Sequence, residues 1–519
     1  MIEHRIWRSI AAAGLLPLAI GAAPPIQVDL LIRGGTIYTG DAAAFVGDLA
    51  ITGDRIVAVG AERSIVARRT IEARGMVVAP GFIDPHAHIG ERLASTEPRD
   101  RLVLPFLMQG VTTAFIGNDG GGAIDVRATL AQRRTGINYA TYIGFGPVRQ
   151  AVIGAARRDP TGGEVARMRA LVARGMCAGA LGLSTGLFYA PQSFASTAEV
   201  VALAREAGTR GGVYDSHIRD EATYTVGLGA AIDEAIAIGR EAAVPVHISH
   251  IKALGVDVQG QAGAIVARIV RAQETGQKVT ADQYPWAASG TSLVAALVPL
   301  WAQDGGRAAL LARFDDAALA ERLRGDMAEN LRKRGGAGAL LITEGSERTR
   351  TLAAIAARRA TDPLAAAIAV IREADPATIS FNQSEGDIET FMRQPWVLTG
   401  SDASPGHPRL YGSFARKYAV YVKRRGVIGL RAFIERSSSR TADVFGIVDR
   451  GRLRVGKRAD VLVFDPKRFA ARATYERPTL FAAGARTVIV NGRIAVDRGV
   501  ATGVAAGRAI AKRPSGGCE

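Results

Sequence analysis

The chain has 519 residues, of which 48% are hydrophobic and 22% charged, a composition typical of a globular protein rather than a disordered or fibrous one. Its formal net charge is +16, from 65 Lys and Arg against 49 Asp and Glu. The basic residues are scattered, with brief clusters such as residues 332–334. Nucleic-acid-binding proteins usually gather such residues on one face, so we expect no nucleic-acid partner and a preference for anionic small molecules.

The first 23 residues have the pattern of a secretory signal peptide. Arg5 and Arg8 supply a positive region, residues 10–20 an apolar one and residues 21–23 a small-residue cleavage site. We therefore expect a periplasmic or secreted protein, and a cytoplasmic one if this interpretation is wrong. The alternative is a buried first helix. The later sequence has no run of about eighteen apolar residues, so we expect no membrane span.

Short alternating strand-like segments, separated by glycine turns, occupy residues 24–79, and a similar set returns over residues 451–505. Their positions predict one small β-sandwich domain built from both the N-terminal and C-terminal segments. The last residues, 506–519, are predicted to be a loose tail.

Between these blocks, over residues 80–450, strand-like runs alternate with alanine-rich helical stretches. About eight such strands predict an α/β fold, a parallel (β/α)8 TIM-like barrel whose chemistry lies at the carboxyl ends of the strands. Residues of about 302–375 are helical and charged, and they are predicted to be an insertion.

The two cysteines, Cys177 and Cys518, indicate neither a disulfide framework nor a thiolate zinc site. Cys177 lies in a helical stretch rich in alanine and glycine. We expect it to be a small buried residue.

Two histidines follow the apolar strand-like run that ends at Asp84. His86 and His88 are two residues apart, and such residues of an extended strand point to the same face. Two imidazoles at a strand end predict half of a divalent-metal site, and a pair of surface histidines beside a turn is the alternative.

Further candidate ligands end other strand-like runs, namely His217, Asp119 and Asp402. His247 and His250 share one run at an odd separation, so only one can point inward, and we prefer His250 at the strand's end. A metal with such ligands and an open position activates water, and a nearby carboxylate can take its proton. Zinc suits this ligand set best, and manganese or iron stays open.

A series of segments runs through nearly the whole chain beyond residue 23. They read PGFIDPHAH, GVTTAFIGND, GALGLSTGLFYAPQSFAS, YDSHIRDE, VHISHIKALG, DQYPW, GSDASPGHPRLYGSFAR and VDRGRLRVGKRADVLVFD. Together, and in this order, they resemble the amidohydrolase superfamily, and more closely its N-acyl-D-amino-acid deacylases (D-aminoacylases).

The resemblance implies a role for each metal ligand. His86 and His88 would serve the weaker of two metal positions, and His217 and His250 would hold the tight zinc. Asp402 would be the catalytic general acid and base. Many family members carry a cysteine where this chain has Asp119, so Asp119 is expected to be a ligand while one or two zinc ions, or another divalent metal, stay open.

The resemblance also implies a substrate site. Lys252, Tyr284, Ser289 and Arg409 fall where the family grips the α-carboxylate of its substrate, and such a cage is physically sensible because a guanidinium pairs bidentately with a carboxylate. Surface charge is the alternative for Lys252 and Arg409. Tyr189 either lines this pocket or packs beside it.

The expected reaction is hydrolysis of the amide of an N-acyl-D-amino acid, with the D preference taken from the resemblance alone. The alternatives are a dipeptidase for dipeptides with a C-terminal D-residue, a cyclic amidase like the dihydroorotases and hydantoinases, and a non-catalytic binding protein. Neither the side chain, nor the acyl group, nor the oligomeric state follows from the sequence.

Overall fold

The computed structural model describes residues 1–2, 26–60, 64–131 and 134–518. The predicted signal peptide falls almost wholly on residues 3–25, outside the described residues. The strands of the described residues are β1 (Ile26–Ile37), β2 (Phe45–Thr52), β3 (Arg55–Val59), β4 (Ile65–Glu72), β5 (Val77–Pro80), β6 (Phe82–Asp84), β7 (Val111–Ile116), β8 (Asn138–Thr141), β9 (Ile143–Gly144), β10 (Gly182–Gly186), β11 (Val213–His217), β12 (Val246–Ile248), β13 (Val279–Gln283), β14 (Ala288–Ser292), β15 (Leu340–Ile342), β16 (Ala377–Phe381), β17 (Val397–Thr399), β18 (Val461–Phe464), β19 (Ala485–Val490), β20 (Arg493–Asp497) and β21 (Val500–Ala501).

The α-helices of the same ranges are α1 (Gly90–Ala94), α2 (Pro98–Arg101), α3 (Leu104–Leu107), α4 (Val126–Leu130), α5 (Phe145–Ile153), α6 (Gly162–Cys177), α7 (Thr197–Thr209), α8 (Leu228–Ala242), α9 (Ala262–Glu274), α10 (Leu293–Leu297), α11 (Gly306–Asp315), α12 (Ala320–Lys333), α13 (Leu352–Arg358), α14 (Pro363–Glu373), α15 (Glu385–Arg393), α16 (Arg409–Arg416), α17 (Leu430–Arg436) and α18 (Ser439–Phe445). A π-helix, Lys417–Arg424, continues α16.

Both ends of the chain meet in one sheet of nine strands, in the order β21-β20-β19-β18-β5-β1-β2-β3 with β4 also paired to β1. The N-terminal and C-terminal parts join where β5 runs antiparallel to β18. The sequence predicted a small β-sandwich here, and the hydrogen bonds run without a break through all nine strands. The reason is β1, whose register shifts between Ile32 and Gly35, so that its first half pairs with β4 and its second half with β5.

Parallel strands form the centre of the molecule, in one six-stranded sheet, β17-β13-β12-β11-β10-β9, and one three-stranded sheet, β6-β7-β8. Only Tyr142 separates β8 from β9, and a parallel bridge joins Ala87 to Ala403, just beyond the ends of β6 and β17. Helices lie between successive strands and bury apolar faces against them, as Ile265 and Ile269 of α9 do. The mixed α/β fold predicted from the sequence is confirmed.

The insertion seen in the structure differs from the predicted helical one in its length and in its secondary structure. Strands β14, β15 and β16 form an antiparallel three-stranded sheet, and helices α10 to α14 lie between β14 and β16. Leu297, Met327 and Ile355 belong to a buried cluster separate from that of the parallel strands. The strand segments ASGTS and ATISF are short and rich in small polar residues, which is why the sequence did not indicate them.

The prediction of a loose tail is wrong. The segment from Gly507 to Cys518 runs along the base of the parallel strands, where the backbone N–H of Ile510 donates to the Tyr139 carbonyl and that of Lys512 to the Gly179 carbonyl. It ends in a disulfide between Cys177 and Cys518. We call residues 507–518 the C-terminal strap.

The expectation for Cys177 is therefore also wrong, because it is the exposed last residue of α6 and is covalently bonded. The two cysteines are 341 positions apart in the sequence. No local spacing could indicate a pairing that only the path of the strap brings about.

Within the described ranges, no helix has both the length and the apolar character needed to cross a membrane.

We predict that reduction of this disulfide destabilises the protein. Cross-linking distant residues restricts the unfolded chain and typically contributes about 2–4 kcal/mol to the free energy of unfolding. Thermal unfolding with and without dithiothreitol should show a lower Tm for the reduced protein and for Cys518→Ser. The reductant should leave the Tm of Cys518→Ser unchanged, and an equal Tm for oxidised and reduced wild type would contradict the prediction.

Candidate metal centre and active site

A cavity of about 440 Å³ opens at the carboxyl ends of the parallel strands. Strands β11 and β12 end at or beside ligand candidates, since His217 is the last residue of β11 and His250 lies two residues beyond β12. Of the residues predicted for the site, those that line the cavity are His88, Asp119, Tyr189, His217, His250, Lys252, Ser289, Asp402 and Arg409. His86 lies buried beneath its floor.

Asp119 lies at the centre of four imidazoles. Its Oδ1 atom is 3.4 Å from Nε2 of His86 and 3.4 Å from Nε2 of His250. Its Oδ2 atom is 3.3 Å from Nε2 of His88 and 3.6 Å from Nδ1 of His217. One carboxylate thus contacts every histidine predicted as a ligand, and each of its oxygens serves two of them.

Protein hydrogen bonds do not satisfy this cluster. Both ring nitrogens of His217 and the Oδ1 atom of Asp119 are buried without a hydrogen-bond partner among the described residues. The Nε2 atoms of His86 and His88 lie 3.3 Å apart, and one proton cannot serve both of these and the nearby carboxylates. Buried polar groups normally have partners, so these residues fit a divalent cation, which accepts several nitrogen and oxygen ligands at once.

The donor atoms fall into two groups that share His250. In one, His86, Asp119, His250 and Asp402 offer atoms within 4.8 Å of one another. In the other, His217 and His250 are joined by Glu221. The arrangement suits one ion or two.

Burial and charge set the protonation of these groups. Burial opposes ionisation of Asp119, yet the facing imidazoles of His86, His250 and His217 hold its pKa well below the usual value. Burial lowers the pKa of His217, which favours the neutral imidazole that metals bind.

Asp402 lies beside the histidines and carries an arginine on its far side. Its Oδ1 atom is 3.2 Å from Nε2 of His88, and its Oδ2 atom accepts from Nη1 of Arg409 at 2.6 Å. Burial opposes ionisation of Asp402, but Arg409 and the histidines hold its pKa below the usual value. A second nitrogen of Arg409 donates to the Ser404 hydroxyl at 2.9 Å. Asp402 is therefore an ionised carboxylate that faces the candidate metal ligands.

Sequence reasoning missed Glu221, a buried carboxylate in the loop after β11. Nζ of Lys252 donates to Oε1 of Glu221 at 2.5 Å and to Nδ1 of His250 at 2.7 Å. The segment YDSHIRDE contained the residue, but in an irregular loop a separation of four positions from His217 does not predict a shared face.

The remaining substrate-site candidates occupy different positions. Ser289 is in the cavity wall on β14, whereas Tyr284 does not line the cavity and lies beneath two cations, with Lys252 and Arg409 over its ring at 5.7 and 5.1 Å. The ring of Tyr189 packs against His217, with centroids 4.8 Å apart, and it also lines the cavity. The two alternatives for Tyr189 therefore both hold.

A buried carboxylate supports the ligands from beneath. Oδ1 of Asp282 accepts from the backbone N–H of His250 at 3.0 Å and lies 3.3 Å from Nε2 of His247 and 3.7 Å from Nδ1 of His86. His247 lies outside the cavity lining and bonds Thr280 through Nδ1 at 2.9 Å.

The backbone at three candidate ligands is in the left-handed region, with φ of 55° at Asp119, 36° at His250 and 48° at Asp402. Such conformations cost free energy in residues other than glycine and persist where neighbours fix them. Gln192 fixes Asp119, because its Nε2 donates to the Asp119 carbonyl at 3.0 Å while its Oε1 accepts from the Gly186 N–H at 2.8 Å. Sequence reasoning missed Gln192, although it lies in a segment that carries the resemblance.

Comparison with known proteins gives the same family at the levels of sequence and structure. The amidohydrolase family model matches residues 69–496. The D-aminoacylase of Alcaligenes xylosoxydans xylosoxydans is 33% identical over 93% of this chain and 98% of its own length, and the N-acyl-D-glutamate deacylase of the same organism is 32% identical over 90% and 93%. The crystal structure of an N-acyl-D-glutamate deacylase from Bordetella bronchiseptica, complexed with zinc and a phosphonate inhibitor, superposes with a TM-score of 0.79 at 31% identity, covering 93% of this chain and 100% of that one.

We predict that Gln192→Glu weakens metal binding without unfolding the protein. The carboxylate keeps an acceptor for the Gly186 N–H but loses the donor to the Asp119 carbonyl, so the orientation of Asp119 relaxes. Loss of a group that orients a ligand typically lowers metal affinity about 10- to 100-fold. Titration with a competing chelator measures the zinc affinity.

Gln303→Glu is the matched control for this variant. The Gln303 side chain also donates to a backbone carbonyl, that of Val298, but lies outside the cavity lining. Equal zinc affinities for Gln192→Glu, Gln303→Glu and wild type would contradict the assigned role.

Proposed function

Because the chain belongs to the N-acyl-D-amino-acid deacylase family of amidohydrolases, we propose that it is a metal-dependent hydrolase that cleaves N-acyl-D-amino acids into a carboxylate and a free D-amino acid. The observation that carries the proposal is the placement of the ionised Asp402 between an unsatisfied histidine cluster and a buried arginine, in one cavity. The D configuration rests on the relatives alone.

We infer that His86, His88, Asp119, His217 and His250 hold one or two zinc ions, as the donor set and its unsatisfied atoms support. The zinc in the related Bordetella deacylase supports the choice of metal. A bound divalent ion supplies Lewis-acid polarisation of the acyl carbonyl and lowers the pKa of water. The carboxylate of Asp119 is a harder ligand than a thiolate, so manganese or iron also suits the site.

Asp402 acts as the general base and then as the general acid. Its Oδ1 atom faces the histidine cluster, so it is positioned to accept a proton from the attacking water and to deliver that proton to the departing amide nitrogen. Arg409 holds the other oxygen, which fixes the carboxylate plane and keeps Asp402 ionised before attack.

Lys252, Ser289 and Arg409 form the wall that receives the substrate's α-carboxylate, with Tyr284 packed behind the two cations. Arg409 lines this wall while its two terminal nitrogens donate to Asp402 and Ser404. An open-chain carboxylate suits these donors better than a cyclic amide does.

We also infer that the two parallel sheets close into one eight-stranded barrel. Its support is the single residue between β8 and β9, which makes them one strand of the circle, and the bridge between Ala87 and Ala403, which joins β6 to β17. A closed barrel would bring all strand ends to one rim, where the cavity lies.

We propose that the mature protein is periplasmic or secreted. The signal-like first 23 residues and the Cys177–Cys518 disulfide support this, because disulfides persist in oxidising compartments. N-terminal sequencing of the protein from a periplasmic or culture extract should find a start near residue 24. Protein that begins at Met1 and remains with the cytoplasmic fraction would contradict the proposal.

The activity is tested by release of primary amine from paired N-acetyl-D- and N-acetyl-L-amino acids. The zinc-loaded protein should release amine from D substrates only, and a chelator should abolish the release until zinc is restored. Asp402→Asn should retain its metal but lose about 10²- to 10⁴-fold in kcat, the range for loss of a general acid–base group.

The alternatives give different outcomes in the same assay. Activity on L substrates alone would overturn the D preference and leave the hydrolytic mechanism. Release only from dipeptides that end in a D-residue would indicate a dipeptidase. Tight ligand binding without turnover, equal in wild type and Asp402→Asn, would indicate a binding protein.

A further inference from the structure

Arg334 is a buried cation in the wall of the active-site cavity that no step above uses. It follows the last residue of α12, in the segment between β14 and β16, and its side chain is 2% exposed. It lines the same cavity as Lys252 and Arg409. Lys252, Arg334 and Arg409 thus all line the cavity, and of these three cations Arg334 comes from the segment between β14 and β16.

Two of these cations have carboxylate partners within the protein. Lys252 is 2.5 Å from Glu221, and Arg409 is 2.6 Å from Asp402. Arg334 has no carboxylate within 4.0 Å among the described residues, and its Nε has no hydrogen-bond partner there. Of the three, Arg334 alone lacks an anion.

The contacts of Arg334 are with neutral groups, including the Tyr224 side chain, and supply no opposite charge. Nη1 donates to the Ser380 hydroxyl at 3.4 Å, a long hydrogen bond, and the guanidinium lies 5.3 Å from the centroid of the Tyr224 ring. Burial of an unpaired charge is costly, and a guanidinium in a cavity wall recovers that cost when a ligand carboxylate or phosphate binds it. The position of Arg334 thus indicates an anionic group on the ligand.

The register of the strands places this second anion close to the first. Ser380 of β16 is the direct antiparallel partner of Ser289 of β14, and Ser289 belongs to the wall for the α-carboxylate. Directly opposed residues of antiparallel strands have Cβ atoms about 5 Å apart. One substrate can therefore reach both positions if one or two methylene groups separate its carboxylates.

We propose that Arg334 binds the side-chain carboxylate of the substrate, and that this protein acts preferentially on N-acyl derivatives of acidic D-amino acids. The inference rests on the proposed function and names the substrate class within it. The α-carboxylate occupies the Lys252, Ser289 and Arg409 wall, and the side-chain carboxylate pairs with Arg334.

The test compares kcat/KM for N-acetyl-D-glutamate and N-acetyl-D-aspartate with that for their neutral isosteres, N-acetyl-D-glutamine and N-acetyl-D-asparagine, and for N-acetyl-D-leucine. Zinc-loaded wild type should favour the acidic substrates. Arg334→Met, which keeps length and removes charge, should lose about 100-fold on the acidic substrates, as expected when one partner of a buried charge pair is removed, and little on the neutral ones.

Arg332→Met is the matched control, because Arg332 lies two residues before Arg334, within α12, and pairs with Asp257 and Glu329 outside the cavity lining. It should leave the ratio between acidic and neutral substrates unchanged. An equal loss by Arg334→Met on all five substrates would overturn the proposal, because it would place Arg334 at the α-carboxylate or in a structural role. A wild-type preference for N-acetyl-D-leucine would overturn it too.

Absence of turnover on every substrate would mean that the proposed function has failed, and binding then tests Arg334 separately. Isothermal titration of the same five compounds should show tighter binding of the two dicarboxylates to wild type than to Arg334→Met. Equal affinities for both proteins would overturn the assignment of Arg334.

Discussion

The carboxylate of Asp119 is surrounded by the ring nitrogens of four histidines, and its side chain is only 13% exposed. Such a group is tolerated only because opposite charge lies around it, and the unsatisfied atoms of His217 show that protein groups alone do not complete the set. The candidate ligands follow several different strands, with His86 and His88 both just beyond β6, so the site requires the parallel strands to be correctly paired. Folding of the central sheets and assembly of the metal centre are therefore one constraint.

The architecture keeps this charged centre in place through rigid contacts beneath and beside it. Asp282 holds the backbone N–H of His250, and Gln192 holds the carbonyl of Asp119. The left-handed backbone at Asp119, His250 and Asp402 turns each side chain inward just beyond its strand. Backbone conformations that cost free energy are thus concentrated at the ligands, where neighbouring hydrogen bonds fix them.

Sequence patterns predicted the parts of this site that depend on strand geometry. A separation of two positions brings His86 and His88 together because the period of a strand is two, and their Nε2 atoms lie 3.3 Å apart. Glu221 could not be predicted in this way, since it lies in an irregular loop. Arg334 belongs to the brief basic cluster of residues 332–334, and α12 ends at Lys333. Helical periodicity therefore stops one residue before Arg334 and does not predict the direction of its side chain.

Long-range pairing explains the other differences between sequence and structure. The Cys177–Cys518 bond and the strap that leads to it depend on contacts between segments more than 300 positions apart.

The insertion has its own buried cluster, so its strands can pack and present Arg334 independently of the parallel sheets. This separation has a functional consequence. The candidate metal ligands and Asp402 lie just beyond the ends of the parallel strands, whereas Ser289 and Arg334 of the proposed substrate wall belong to the insertion. Changes in the insertion can thus alter which side chain is accepted without disturbing the charge balance around Asp119. Arg334, the cation that has no carboxylate partner, lies in the insertion and not on a parallel strand, which fits this division.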